Sequence, residues 1–423
     1  MANDFSKEEI VAFDQMIEGF EDALVLSRNV SKYQTNPTQM ERAGDVIWRP
    51  MPYIAQTFDG ADQTANFKSS TQLSVPSTIG FHKSAPMQMT VTEMRDLMQE
   101  GRLHEAAKQK LSSDINVAIM NTAANQGTLV VKRTAAASGF DDVAQCDAIM
   151  NEQGVPNYDR YLALSTRDYN GMANNLSVAS RSFDNAKSVD AYEKAYVGPV
   201  SGFETFKLDY ANRLTAAAGG GALTIDTQTS AGNYYVPVST RTASTGERSN
   251  VDNRYQTITI SSTTNVAAGD SFTIAGVEAV HHITKQSTGQ LKTFRVISVD
   301  SGTTMTISPA IISNQGGSDA EAQYQNVEVT ESATASIVFL NTVTASVNPF
   351  WQRDAIEIIP GTYPVPTNAG VATMSSTTEQ GFNLVMQKFA DIKTGNISLR
   401  WDVRFGTVMK QPEMAGIMQF SQT

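Results

Sequence analysis

Thr257-Ile258-Thr259-Ile260, Ser271-Phe272-Thr273-Ile274, Phe294-Arg295-Val296-Ile297 and Met305-Thr306-Ile307 set Ile, Phe, Val or Met against Thr, Ser or Arg over runs of three or four residues. A period of two places the apolar residues on one face of an extended chain. Gly269-Asp270, Gly276, Asp300-Ser301-Gly302 and Gly316-Gly317 fall between or after the runs, where turn residues belong. Short strands spaced by turns, over residues 223–345, predict a small all-β barrel or sandwich.

The text on either side is different. Residues 128–215 mix periods: Asp141 to Met150 and Ala191 to Val197 read as helices, and Tyr161 to Leu164 as a buried strand. After Asn348 the mixed pattern resumes, and Ser398 to Val408 and Gly416 to Phe420 alternate like strands. The Ala/Gly stretch Ala216 to Ala222 marks the entry to the β region. One mixed domain is therefore expected to be interrupted by one β domain.

Further toward the N-terminus, Leu103, Ala107, Leu111, Ile115 and Ile119 recur every four residues, predicting a helix over 90–126. Thr90 and Glu93 are spaced as its capping box, Gly127 as its stop, and Gly101 as a possible division. Between Asp45 and Pro86, short apolar groups broken by Pro50, Pro52, Gly60, Pro76, Gly80 and Pro86 predict an extended hairpin or arm. Such an arm buries little on its own chain, so its apolar residues are expected to meet a neighbouring subunit. Ser6 to Glu9 read as a capping box, followed by Ile10, Phe13, Ile17, Phe20 and Leu24: an amphipathic helix ending near Arg28.

Composition narrows the function. In 423 residues, 41% are hydrophobic and only 18% charged, below the roughly 25% of ordinary soluble domains. A surface poor in charge suits a protein packed against its own copies. A formal net charge of -11 without a basic run argues against a grip on nucleic acid, which draws on clustered Lys and Arg. Cys146 is the only cysteine, so no intrachain disulfide forms. Asp4, Glu8 and Glu9 stand where a signal peptide would be basic, and no apolar run reaches the ~18 residues of a membrane span. Folding in the cytoplasm is the expectation.

Catalytic motifs are missing: no Walker loop, Gly-x-Ser-x-Gly, zinc-type His/Cys spacing or dinucleotide fingerprint occurs. His281-His282, if on a strand, point to opposite faces and do not share a metal. His82 and His104 stand apart from any Cys or carboxylate pattern, and Cys146 reads as a small buried residue. Asp141-Asp142 and Asp252-Asn253-Arg254 lack the spacing of a calcium loop and read as turns and surface charge. The expectation is a protein without enzymatic activity, cofactor or metal.

A family resemblance agrees with this outline. Asn250-Val251-Asp252-Asn253-Arg254-Tyr255, Thr257 to Ser261, Gly269-Asp270 and Phe272 to Val277 resemble the inserted domain of the Salmonella phage P-twenty-two coat protein family. Phe294 to Val299 and Ile307 to Pro309 continue that pattern in order. Met94 to Leu97 leading to Asn125 to Val130 resembles the family's spine helix and its exit. Asn348-Pro349-Phe350-Trp351 with Asp354-Ala355-Ile356 resembles the return from the insertion. The match runs from about residue 40 to the end and is weaker in the N-terminal arm and over 180–222.

What the resemblance implies is an α+β fold of the tailed-phage major capsid type, like phage Hong Kong ninety-seven, with a long spine helix, an extended loop and an inserted all-β barrel domain. On that plan residues 1–44 form the N-terminal arm, 45–86 the extended loop and 87–127 the spine helix of the peripheral domain. Residues 128–222 form the first part of the axial domain, 223–345 the inserted barrel, and 346–423 the rest of the axial and peripheral domains. The implied function is self-assembly, with scaffolding and portal proteins, into an icosahedral procapsid in the host bacterial cytoplasm. Double-stranded DNA is then enclosed without specific binding, and no membrane takes part. In this family a loop of the inserted domain makes charge pairs with the neighbouring capsomer. Here that loop is Pro237 to Asn250, and its contact residues would be Arg241, Glu247 and Arg248. Ala243 and Thr245 replace two acidic residues of the family, so the contact is either weaker or moves to Glu247. The runner-up reading is a β-rich adhesin or tail-type binding protein, which leaves the long helix unexplained.

Overall fold

The computed structural model describes residues 5, 7–33, 46–52, 54–55, 57–67, 70–90, 97–177, 185–218, 223–226, 235–332, 334–363 and 371–423. They divide into two compact units, the first made of Met1–Ile47, Ser77–Met120 and Ile356–Val408, the second of Trp48–Pro76, Asn121–Ala355 and Met409–Thr423.

In the first unit, strands Ser31–Lys32, Ile356–Gly361, Asn396–Met409, Asn383–Asp391 and Ala372–Thr377 form a sheet in that order. Phe81–Thr90 also lies antiparallel on Asn396–Met409, in register from Thr90 opposite Asn396 to Phe81 opposite Phe405. The long helix Leu97–Gln126 buries Ala107, Leu111, Ile115 and Ile119, the four-residue stripe read from the sequence. At 1.5 Å per residue its 30 residues extend about 45 Å. Gly101 does not divide it; a glycine costs a helix only about 1 kcal/mol, less than the stripe contributes. Thr90 closes a strand, and the remainder of that expected capping box lies outside the described residues.

The N-terminal helix Lys7–Ala23 buries Phe13, Met16 and Phe20 and leaves Ile10 exposed. Asn116 of the long helix holds its end, donating to the Ala23 carbonyl at 3.0 Å and accepting from Leu26 N–H at 3.4 Å. Lys388 pairs with Glu9, and Ser27 bonds Gln380.

The second unit is built around two five-stranded sheets. One is mixed, in the order Leu129–Lys132, Ala415–Gln419, Asn348–Gln352, Arg160–Ser165, Phe203–Leu208, with its two outer pairs parallel and its two inner pairs antiparallel. Helices Phe140–Glu152 and Thr166–Leu176 contribute Val143, Cys146, Met150, Tyr169 and Met172 to its core, against Leu162, Leu164, Phe203 and Phe350. Cys146 is fully buried with its sulfur 3.7 Å from that of Met418, and burial raises its thiol pKa, which makes it inert. Asp142 corrects the reading of Asp141-Asp142 as surface charge. It is fully buried, accepts from Arg133 Nε at 2.6 Å, and receives the N–H groups of Ser138 and Gly139 at the entry to helix Phe140–Glu152.

The second sheet is antiparallel, in the order Gln256–Thr259, Thr304–Ser308, Ser287–Val299, Ser271–Val280, Ile337–Phe339. The alternating runs at 257–260, 271–274, 294–297 and 305–307 fall on its strands, with Ile260 one residue past the end of Gln256–Thr259. Its two edges are joined by one short segment: Asp226 N–H donates to Thr259 O and Ser261 N–H to Thr224 O, while Ile225 N–H donates to Ala335 O and Ile337 N–H to Leu223 O. Closure satisfies edge groups that would otherwise pair with another chain. Inside are Ile258, Ile260, Phe272, Ile274, Phe294, Val296, Met305 and Ile307, with the rings of Phe272 and Phe294 5.7 Å apart. One short helix, Asp319–Tyr324, departs from the all-β expectation.

The arm is partly buried on its own chain. Strands Val46–Pro50 and Ser74–Thr78 pair, and Leu73 packs with Met51, Ala310, Ile312 and Tyr324. Tyr324 Oη donates to Thr71 O at 2.8 Å and Thr71 N–H to Gln323 Oε1 at 3.1 Å. Phe67, 89% exposed, and Phe58 are left for solvent or another molecule. The expectation of apolar burial on a neighbour therefore fails at the foot of the arm, because Ala310 and Ile312 already supply an apolar partner there.

Phe294→Ala is expected to destabilise the barrel by about 3–5 kcal/mol, the cost of emptying a fully buried aromatic site, read as a lowered urea midpoint of the barrel transition.

Candidate intersubunit contact site

Between Tyr235 and Tyr255 the chain leaves the barrel and returns. Thr240–Thr242 and Arg248–Asn250 form an antiparallel ribbon with Thr240 opposite Asn250, Arg241 opposite Ser249 and Thr242 opposite Arg248. The turn closes through Ala243 N–H to Glu247 O at 2.8 Å and Gly246 N–H to Ala243 O at 2.9 Å. Gly246 has φ 85°, a left-handed conformation that a side chain disfavours, which explains a glycine here. Every residue from Arg241 to Asn250 is exposed.

The ribbon buries nothing, and isolated two-stranded ribbons are marginal in water. Its order comes from below. Asn253, buried at the root, takes four hydrogen bonds: it donates to Val238 O at 2.9 Å and Val251 O at 3.1 Å, and accepts from Val238 N–H at 3.1 Å and Tyr235 Oη at 3.3 Å. Arg254 pairs with Asp252 at 2.6 Å, donates to Met409 O at 2.5 Å and lies 4.9 Å over the Tyr255 ring. Burial pushes the Tyr235 hydroxyl up to about 12, so it stays a neutral donor. Asp252-Asn253-Arg254 is thus the anchor of the ribbon, where the sequence offered only a turn. The sequence shows only three consecutive polar residues; that their side chains reach backbone or one another comes from the fold.

Of the expected contact residues, Arg241 and Arg248 occupy non-opposite positions of the ribbon, so their side chains leave from opposite faces. Glu247 sits in the turn between them. No ion pair joins any of the three to another described residue, and Arg248 Nε donates to Thr240 Oγ1 at 3.1 Å.

A second polar cluster lies at the base of the barrel. Lys292, 1% exposed, donates to Glu413 Oε1 at 2.5 Å and Gln153 Oε1 at 2.7 Å. His282 Nε2 stands 2.9 Å from Glu413 Oε2, and Asn326 Nδ2 donates to Glu413 Oε1 at 3.2 Å. Burial opposes ionisation of Glu413, but Lys292 and His282 together hold its carboxyl well below the usual range. His281 and His282 follow the strand in a turn, which corrects their placement on a strand; His281 Nδ1 accepts from Ile283 and Thr284 N–H, and the two rings serve different partners. In the first unit, His82 meets Asp402 at 3.1 Å, a carboxylate invisible in linear sequence. Among the described residues no group of three metal-ligating side chains converges, and no helix is long and apolar enough to cross a membrane.

Two sheets with separate cores thus carry an exposed, charged ribbon. The chain belongs to the P22 coat protein family, described as "P22 coat protein - gene protein 5", which matches residues 1–421. It is accordingly the major capsid protein of a tailed-phage head, a virion component and not an enzyme, with the α+β capsid fold and an inserted domain. Among solved structures, the CUS-3 coat protein I-domain is 38% identical, covering 29% of this chain and 99% of its own, with a TM-score of 0.22. A structure titled Mycobacterium phage Che8 is 10% identical, covering 93% of this chain and 90% of its own, at 0.45. The mature capsid of bacteriophage PhiM1 is 10% identical, covering 94% and 87%, at 0.42.

Lys285 supplies a pH test of the basal cluster. It donates to Gln325 O at 3.0 Å, and burial together with the Lys292 charge lowers its pKa to about 8 from 10.5, against the attraction of Glu413. Between these two values the unfolded chain binds the extra proton, so this group adds stability as pH rises through that window. Lys285→Met is expected to flatten that part of the stability profile, measured by denaturant unfolding from pH 7 to pH 10.5.

Proposed function

We propose that the chain builds an icosahedral procapsid with a scaffolding protein and a portal protein, and that Arg241, Glu247 and Arg248 on the ribbon make the contact between capsomers. The observation that carries this is a fully exposed, internally anchored ribbon with cations on opposite faces and an acid at its tip. Two copies meeting across a twofold axis would each offer Glu247 to an arginine of the other, an isologous arrangement. One exposed pair contributes only about 0–1 kcal/mol, so its effect lies in shell geometry, multiplied over many copies.

On this reading residues 1–44 act as an N-terminal arm, 45–86 as an extended loop, 87–127 as a spine helix and 223–345 as the inserted domain, with 128–222 and 346–423 completing the axial and peripheral parts. Exposed Phe58 and Phe67 near the arm's far end support a role on a neighbouring subunit. The net charge of -11 supports enclosure of double-stranded DNA without specific binding.

Co-expression with and without the scaffolding protein, followed by sedimentation and electron microscopy, tests the assembly. Uniform closed shells only with the scaffold are expected; soluble monomers under both conditions would sink the proposal. Arg248→Ala should leave monomer stability within about 0.5 kcal/mol, because the side chain is exposed, yet give misshapen or fewer shells. Normal shells from the triple replacement of Arg241, Glu247 and Arg248 by alanine would remove the ribbon from the contact.

A further inference from the structure

Within the second unit the barrel and the mixed sheet have apolar cores that share no residue. What lies between them at one side is a cleft of about 630 Å³, with Leu129 and Ile149 on the wall of the mixed sheet and Ala279 and Leu291 on the wall of the barrel. Apolar packing does not fill it, so packing alone does not decide the angle between its walls. Gln153 and Lys292 also line this cleft, and both belong to the ionic cluster around Glu413.

That cluster draws from five separate segments. Gln153 ends helix Phe140–Glu152, His282 belongs to the turn after strand Ser271–Val280, Lys292 lies on strand Ser287–Val299, and Asn326 follows helix Asp319–Tyr324. Glu413 comes from the chain just before strand Ala415–Gln419 of the mixed sheet. One carboxylate therefore receives three donors from the barrel side, two of them capable of positive charge, while Lys292 also holds Gln153 across the cleft. The turn bearing His282 is itself seated on Gln153, whose backbone carbonyl accepts His282 N–H at 3.3 Å, and the His281 ring lies against Gly154. A Cβ on Gly154 would come within 2.9 Å of that ring, so the glycine permits the approach.

We propose that Glu413 is a positioning residue: it clasps Lys292, His282 and Asn326 across the rim of the cleft and so sets the direction in which the barrel projects from the mixed sheet. The inference rests on the ribbon being a capsomer contact for its consequence, since the barrel carries the ribbon, but the clasp itself is testable in the unassembled chain. Without the carboxylate, Lys292 and His282 face each other with no counter-charge, and the cleft lets the barrel tilt until water reaches them. Two further contacts, Thr293 Oγ1 to Thr128 O at 2.7 Å and Arg295 Nη2 to Ala124 O at 2.9 Å, lie further along the same strand and act as the pivot.

Spin labels at Ser301→Cys on the barrel and Glu193→Cys on helix Asn185–Lys194 report the angle in the full-length chain; the native Cys146 is buried and escapes labelling. A single narrow distance distribution is expected without further substitution. Glu413→Gln should broaden or shift it, and the exchanged pair Lys292→Glu with Glu413→Lys should narrow it again. If Glu413→Gln does not fold, Glu413→Asp, which shortens the reach by one methylene, serves in its place. Hydrogen exchange separates positioning from plain stability: amides 281–286, 410–411 and 413–415 should exchange at least about tenfold faster, with strands Ser271–Val280 and Ser287–Val299 unchanged at their buried residues. An unaltered distance distribution, or faster exchange throughout the barrel core, would overturn the clasp. Shells complete the test: a broadened distribution with irregular shells supports both the clasp and the ribbon contact, whereas a broadened distribution with uniform shells keeps the clasp and overturns the ribbon reading.

Discussion

Closure of the barrel by Leu223 to Asp226 is the constraint on which the second unit depends. An inserted sheet with open edges leaves rows of N–H and C=O groups that would recruit strands from the mixed sheet or from another chain. In a protein destined to meet many copies of itself, such edges would compete with the intended contacts. The four backbone hydrogen bonds to Thr259, Thr224, Ala335 and Leu223 remove that competition and let the insertion enclose its own core around Phe272 and Phe294. Once the barrel is self-sufficient, its attachment is free to be made of other chemistry.

That attachment includes a row of polar contacts. Lys292, Thr293 and Arg295 are consecutive or nearly so on one strand, and each reaches a fixed acceptor: the Glu413 carboxylate, the Thr128 carbonyl and the Ala124 carbonyl. Ala124 lies in the last turn of the long helix, where carbonyls lack helical partners and favour a cation. Burial pushes the Arg295 guanidinium down to about 10, with Asp270 opposing the shift, so it remains charged at neutral pH. Buried ionic contacts of this kind add little net stability over apolar packing, but removing one partner costs about 3–5 kcal/mol. They suit a joint that must hold one geometry without merging two cores.

The ribbon follows the same logic outward. Apart from the Arg248 to Thr240 hydrogen bond, its side chains stay exposed, whereas its root is held through Asn253 and Arg254.

Alternation of Thr with Ile and Phe determined the barrel strands, because period two is a local property of extended backbone. The four-residue stripe from Leu103 to Ile119 determined the long helix in the same way, and the capsid family was legible because several motifs recur in order. Local pattern divides strand Phe81–Thr90 between an extended arm ending at Pro86 and a helix beginning at Thr90, because its partner Asn396–Met409 is over 300 residues away and pairing leaves no mark on local pattern. For the same reason Glu413 and Lys292 carried no signal: 120 residues separate them, and ion pairing has no period. Burial of Asp142 and the anchoring of Asn253 also depend on what surrounds them, so polar residues that read as surface became interior parts. Local periodicity thus determined which elements form, whereas only the tertiary structure decided which charges meet, because that depends on distances the chain acquires after folding.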